Sequence, residues 1–172
     1  MTIYRITRLA LLPIMLCLIS ACGGGGGGGG GGGNSTSTPK ATLKLFTSGT
    51  PSANLSGNDI TVILADGVTP TLNGNGSVAD SVIVVSGVAA PGMVLAPIYT
   101  AATATSKGTL RFTMASTINA GFGAGEFATM TLNISAGKSP VQGDFSLSGF
   151  NPIDVSGNTA NGLTAGFTVA IQ

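Results

Sequence analysis

The sequence predicts an all-β domain, and three observations support this prediction. The chain is rich in small and β-branched residues, with 28 Gly, 8% charged residues and no Trp or His, so it lacks the straight-chain residues that build helices. Short runs alternate apolar and polar residues with a period of two. Clusters of Gly, Pro, Asn and Asp separate these runs as turn signals. At 172 residues the chain allows one such domain, a sandwich or barrel of roughly eight to ten strands.

The first predicted strands follow Lys40. The runs ATLKLFT, 41–47, and DITVILA, 59–65, both alternate. Their inward residues are Leu43, Leu45, Ile60, Val62 and Leu64, whereas Lys44 and Phe46 face outward. The run SVIVVSG, 81–87, is continuously β-branched, which predicts a central strand covered on both faces.

The second half repeats this pattern. Alternating runs at 108–114 and 126–134 predict two longer strands, and shorter strands are predicted at 145–147, 153–155 and 167–171. The inward residues of the two longer strands are Leu110, Phe112, Met114, Ala128, Met130, Leu132 and Ile134. Turn signals lie at 48–51, 56–59, 66–67, 73–76, 91–92 and 156–158.

The first 21 residues are typical of a signal peptide. Arg5 and Arg8 precede an apolar run, 9–19, of eleven residues, about half of the roughly 20 that a membrane-spanning helix needs. The residues Ile19-Ser20-Ala21-Cys22 that follow resemble the lipobox of bacterial lipoproteins. The resemblance implies cleavage between Ala21 and Cys22 and attachment of a diacylglyceryl group to the Cys22 thiol. The alternative is an ordinary secreted protein in which Cys22 stands at this place by chance.

A lipidated Cys22 implies a location in the cell envelope. Two or more acyl chains on one residue hold a protein firmly, because each buried methylene contributes about 0.8 kcal/mol. Gly23 after the cysteine resembles lipoproteins sorted to the outer membrane rather than the inner one. Cys17 lies within the expected signal peptide, so the mature domain has no thiol for a disulfide, a metal or catalysis.

Eleven consecutive glycines, 23–33, predict a tether rather than a folded segment. Glycine has no side chain to bury and loses more backbone entropy on ordering than any other residue. The lipidated cysteine and tether together occupy 22–40, and the folded domain occupies 41–172. A coil of the 17 residues 23–39 spans roughly 20 to 25 Å, enough to clear the lipid headgroups.

The charges and side-chain types restrict the function. Beyond Cys22 there are five basic and six acidic residues without a basic stripe, so no nucleic-acid partner is expected. The absence of His, and of Cys after Cys22, removes imidazole and thiol catalysis, and the chain is expected not to be an enzyme. Calcium is the plausible metal because only oxygen ligands are available, and the candidate ligands are Asp59, Asp66, Asp144 and Asp154. Capping of turns by these residues is the favoured interpretation, and no metal site or cofactor is predicted.

Three segments of the domain, LFTSGTPSANLSGNDITVILADGVTP, SKGTLRFTMAST and GFGAGEFATMTLNI, resemble the cohesin-like domains related to carbohydrate-binding modules. The resemblance covers most of 41–172. It implies a jelly-roll β-sandwich of about nine strands that binds a dockerin-type protein module or a polysaccharide.

A protein partner is the preferred prediction, because an aromatic-poor, weakly charged sandwich offers sheet faces and edges rather than a pocket. A carbohydrate-binding module is the first alternative. It is weakened because Tyr99 is the one Tyr after the signal peptide and Trp is absent, whereas such modules stack sugars on exposed aromatics. A purely structural surface lipoprotein is the second alternative.

Overall fold

The computed structural model describes residues 38–172, so the predicted signal peptide, the cleavage site at Ala21, the lipidation site at Cys22 and the glycine run lie outside the described residues. The described part contains nine strands and two 3₁₀ helices, Gly87–Ala89 and Gln142–Asp144. The strands are β1 (Lys40–Gly49), β2 (Leu55–Ile63), β3 (Val68–Thr69), β4 (Ile83–Val85), β5 (Gly92–Thr100), β6 (Thr109–Ser116), β7 (Glu126–Ile134), β8 (Ser146–Asp154) and β9 (Leu163–Ile171). In this part of the chain no helix is long and apolar enough to cross a bilayer.

The strands form two antiparallel sheets that face each other as a sandwich. In sheet A, β7 pairs with β1 and β1 with β9, while β3 and β4 both pair along the other side of β7. In sheet B the order is β5-β6-β2-β8. The chain passes repeatedly from one sheet to the other, as in a jelly roll. The predicted all-β sandwich of about nine strands is confirmed.

The core lies between the sheets. All twelve residues predicted to face inward are buried, from Leu43 and Leu45 on β1 to Ile134 at the end of β7. Phe127 is a second fully buried aromatic residue of the core, in addition to Phe112. Because each such large apolar side chain contributes about 1.5–3 kcal/mol when it leaves water, this cluster is the main source of the domain's stability.

The turn predicted at 56–59 is wrong, because these residues belong to β2. A Cβ atom at Gly57 would lie 2.3 Å from the Met114 carbonyl oxygen on the neighbouring strand β6. The glycine therefore permits close approach of two backbones rather than reversal of the chain. A register shift against β8 between Leu55 and Gly57 is consistent with a bulge at this point.

The central strand predicted at 81–87 is also wrong. Only Ile83–Val85 forms a strand, it lies at the edge of sheet A beside β7, and Val84 is 54% exposed. The chain leaves the sheet at Gly87, which has a φ of 58° and whose added Cβ would meet the Glu126 carbonyl oxygen at 2.3 Å. β-branched composition alone does not distinguish an edge strand from a central one.

Three other differences concern strands that carry a proline or are very short. β5 was not predicted, because Pro97 and Gly92 are typical of breaks; Pro97 is tolerated because β5 is an edge strand. The strands predicted at 145–147 and 153–155 are joined into the single strand β8, which is interrupted by a register shift near Gly149. The two-residue strand β3 is too short to show a period.

Candidate functional site

The outer face of sheet B combines exposed apolar and charged side chains on one surface. Cross-strand pairing defines two adjacent rows of residues on it. The first row is Leu95, Thr113, Asp59 and Asn151; the second is Ile98, Arg111, Thr61 and Ser148. These side chains point away from the core because their neighbours on β6, Leu110, Phe112 and Met114, are buried between the sheets.

One side of this face is an apolar strip on β5. Met93, Leu95 and Ile98 are 46%, 41% and 58% exposed, and they stand opposite Ala115, Thr113 and Arg111 of β6. The bulge at Ala96 and Pro97 is the reason that Leu95 and Ile98 share a face although three positions separate them. We refer to Met93, Leu95 and Ile98 as the β5 strip.

The centre of the face is polar. The Thr113 hydroxyl donates a hydrogen bond to an Asp59 carboxylate oxygen, and Arg111 Nη2 lies 3.9 Å from the other Asp59 oxygen. The Arg111 side chain is 63% exposed, so its ion pair with Asp59 is worth at most about 1 kcal/mol. Most of the guanidinium's donors therefore remain available to a second molecule.

The four acids considered as calcium ligands do not converge on one site, and two of them, Asp66 and Asp144, line a common depression together with two lysines. Asp59 lies on β2, and the Asp154 carboxylate accepts the backbone N–H groups of Ser156 and Asn158 at 2.8 and 2.9 Å. The Asp144 carboxylate accepts the Val141 N–H at 2.8 Å. Asp154 and Asp144 thus cap turns, as the favoured interpretation expected. Residues 38–172 contain no group of three or more His, Cys, Asp or Glu that could hold a metal ion.

Asp66 has a cationic partner instead. Lys138 Nζ lies 2.5 Å from Asp66 Oδ2, and the hydrogen bond and charge of Lys138 lower the pKa of the Asp66 carboxyl. A shallow depression of about 250 Å³ is lined by Asp66, Asp144, Lys107 and Lys138. The two ammonium groups disfavour a cation there.

A second polar cluster lies on the outer face of sheet A. Ser86 Oγ donates to Glu126 Oε1 at 2.7 Å, Thr129 Oγ1 donates to the same oxygen at 3.3 Å, and Lys44 Nζ lies 3.2 Å from Glu126 Oε2. The hydrogen bond from Ser86, followed by that from Lys44, lowers the pKa of Glu126. A carboxylate with a lowered pKa whose oxygens already accept hydrogen bonds is a poor general base. The role that these bonds support is structural, because they fasten the end of β4 to β7 and β1. The sequence showed only that Glu126 begins a strand.

A groove of about 360 Å³ with a mixed polar and apolar lining separates β4 from β5. Its walls include Val84, Val85, Met93 and Pro97, and Asp80 supplies one carboxylate. The groove continues from the β5 strip because Met93 belongs to both.

The one tyrosine of the described chain is not exposed as a flat platform. Tyr99 pairs with buried Leu110 and packs partly buried against the core. Among the phenylalanines, Phe112 and Phe145 are buried, and Phe167 packs partly buried against the core.

Comparisons of this chain with protein-family models, with curated proteins and with solved structures find no match.

Proposed function

We propose that this protein is a lipid-anchored binding module of the bacterial cell envelope, and that its cohesin-like sandwich binds another protein through the outer face of sheet B. The observation that carries the proposal is the β5 strip beside Arg111. Protein interfaces combine apolar contact residues with polar ones, and both Met and Arg are enriched in them. The row order of sheet B places both elements on one surface.

The extent of the face across four strands favours a protein partner over a small ligand. The outward residues come from four neighbouring strands and include short side chains such as Thr61, Thr113 and Ser148. A surface of this kind lacks the enclosed apolar pocket that buries most of a small molecule. It is suited to shape-complementary contact with a second folded surface.

The N-terminal sequence supports the anchoring part of the proposal. The charged start, the short apolar run and the lipobox-like residues before Cys22 match a lipoprotein signal, and Gly23 favours the outer membrane. The glycine run would then tether the domain to the lipid surface and leave its faces accessible.

A glycan is the second candidate ligand, and the polar half of the same face is what favours it. Thr61, Ser148 and Asn151 present hydroxyl and amide groups that hydrogen-bond sugars. The partly buried position of Tyr99 argues against stacking on a sugar ring. If the ligand is a glycan, we therefore expect a soluble glycan that is bound by hydrogen bonds.

The test uses the full-length protein solubilised from envelopes in mild detergent. Wild type, Ile98→Asp and the control Val141→Asp are compared for partners captured by cross-linking and for binding to a glycan array. Val141 is 62% exposed and lies outside the sheet B strands, so its variant introduces the same charge away from the face.

We expect a partner protein that wild type and Val141→Asp bind equally and that Ile98→Asp binds at least tenfold more weakly, since a charge in place of an apolar contact residue costs more than about 1.4 kcal/mol. Glycan binding that Ile98→Asp leaves intact would replace the protein partner with a sugar. If no partner depends on Ile98 and no glycan binds, a structural role is favoured and the proposal fails.

A further inference from the structure

Three of the four sheet edges in residues 38–172 carry features that prevent pairing with another strand. β5 contains Pro97 and a residue of positive φ, Ala96 at 45°. β8 contains Pro152 and a register shift near Gly149, whose φ is 62°. The third edge consists of β3 and β4, which have two and three residues. Proline, bulges and short length are the usual protections of exposed edges.

The fourth edge, β9, has none of these protections. Its nine residues, LTAGFTVAI, include no charge and no proline. They pair with β1 without a register shift, from Ala41 opposite Ile171 to Gly49 opposite Leu163. No second strand of the described chain pairs with the other side of β9. A long, regular and uncharged edge is a template for adding a strand.

The backbone groups available for such pairing follow from the register. Lys40 and Gln172 exchange both backbone hydrogen bonds at 2.9 Å, so they form a hydrogen-bonded pair. Antiparallel pairs alternate, and therefore the even-numbered residues of β9 bond to β1. The N–H and C=O groups of the odd-numbered residues, among them Ala165, Phe167 and Val169, point away from β1.

The side chains of β9 also leave room for a neighbouring strand. Ala165, Phe167 and Val169 pack against the core, whereas Thr164 and Thr168 are exposed on the outer face. Gly166 lies between these threonines, and the ring of Phe46 on β1 covers it. A Cβ atom added to Gly166 would lie 2.7 Å from two atoms of that ring. The residues of β9 on the outer face, Thr164, Gly166, Thr168 and Ala170, are therefore all small.

We propose that β9 is a self-association edge that pairs antiparallel with β9 of a second copy around a two-fold axis at Phe167. This register pairs all nine residues of both strands and places Thr164 opposite Ala170 of the second copy. A second copy is the occupant that suits the sequence, because an uncharged strand meets no like charge when it pairs with itself, and a two-fold interface must be self-complementary. The two A sheets then become one continuous sheet. This edge is separate from the outer face of sheet B, so the two proposals can fail independently.

The register is tested by cross-linking in native membranes. The double variant Thr164→Cys/Ala170→Cys places two pairs of thiols opposite each other across the axis, and the natural cysteines, Cys17 and Cys22, both precede the domain. Within one strand the two introduced thiols are six residues apart, about 20 Å, and cannot pair. We expect a disulfide-linked dimer from the double variant and none from either single variant, whose thiols are also about 20 Å apart across the axis.

Two further changes, each made in the double-cysteine background, test the edge itself. Ala165→Pro removes an N–H that points away from β1, so the internal ladder is kept while pairing with a second copy is blocked. Thr168→Glu places a charge on the exposed edge without changing the backbone, and within the domain this charge stands opposite the unlike charge of Lys44 on β1. Val141→Glu adds the same charge elsewhere. We expect the dimer to fall at least tenfold with Ala165→Pro and Thr168→Glu but not with Val141→Glu. The proposal is overturned if the double variant cross-links no more strongly than the single variants, or if Thr168→Glu leaves its cross-linking unchanged.

Discussion

Ser86 and Glu126 are joined by a hydrogen bond of 2.7 Å that links the end of β4 to the start of β7. The same carboxylate also accepts hydrogen bonds from Thr129 and Lys44. Because β4 is only three residues long, these side-chain bonds supplement a short backbone ladder. They hold the edge of sheet A against β7 and β1.

The fastening by Glu126 should depend on pH. Its hydrogen-bonded partners lower the pKa of Glu126 in the folded state, so the stability that it contributes is fully present above the ordinary pKa of Glu, about 4.3, and is lost as the pH falls through the lowered pKa. Glu126→Gln removes this titration. We expect wild type to melt at a higher temperature than Glu126→Gln at pH 7, and the difference to shrink below about pH 4.

Asp66 provides the internal control for that experiment. Lys138 lowers the pKa of Asp66, so the stability that Asp66 contributes is also lost at acidic pH, and to the same extent in wild type and in Glu126→Gln. The difference in melting temperature between the two proteins at each pH therefore reports the contribution of Glu126 alone. A difference in melting temperature that stays constant from pH 7 to pH 3 would contradict the assigned role of the carboxylate.

A second prediction concerns Asn58, whose side chain is oriented toward the core. Asn58 is 1% exposed, and neither its Nδ2 nor its Oδ1 has a hydrogen-bond partner in the described part of the chain. An unpaired buried amide costs about 1–3 kcal/mol. Asn58→Leu, which has a similar volume, should raise the free energy of unfolding by about that amount in urea titrations.

Asn151→Leu is the matched control, because Asn151 is exposed on the neighbouring strand β8, directly before the buried Pro152, and pairs with Asp59. Its stability should change by less than about 0.5 kcal/mol. A loss of stability in Asn58→Leu would show that the Asn58 amide is satisfied in solution and not unpaired.

The core could be predicted from the sequence because burial alternates with a period of two. Phe112 and Met130 are buried for the same local reason, the position of each within its own strand. Whether a strand lies at an edge or carries a bulge depends on which strands become its neighbours. A local sequence pattern does not contain that information. This is why 81–87 was expected at the centre of a sheet and why Gly57 was assigned to a turn.

The candidate site was predictable only in part for the same reason. The outward orientation of Arg111 and Thr113 follows from the alternation of β6. The β5 strip could not be found, since the bulge at Ala96 and Pro97 breaks the period between Leu95 and Ile98. Asp59 stands at the boundary between the turn predicted at 56–59 and the strand predicted at 59–65, and in the structure it belongs to the polar centre of the face.

A third prediction tests the close approach at Gly57. Gly57→Ala places a Cβ 2.3 Å from the Met114 carbonyl oxygen, which forces β2 and β6 apart. We expect a loss of about 1–3 kcal/mol in the free energy of unfolding, the usual cost of overpacking. Gly74→Ala is the control, because nothing lies within 4 Å of its added Cβ, and it should leave stability almost unchanged. Equal effects of the two substitutions would contradict the steric explanation.

The fourth prediction separates the two natural cysteines. If the lipobox resemblance holds, Cys22 carries the lipid and Cys17 is removed with the signal peptide, although both are thiols five residues apart. Cys22→Ala should abolish incorporation of labelled fatty acid into the protein, whereas Cys17→Ala should leave it unchanged. Labelling is the decisive measurement because an uncleaved apolar run could itself retain the chain at a membrane, so fractionation alone does not report acylation. Fatty-acid labelling that persists in Cys22→Ala would remove the lipid anchor from the proposed function, while the predictions for the folded domain would stand.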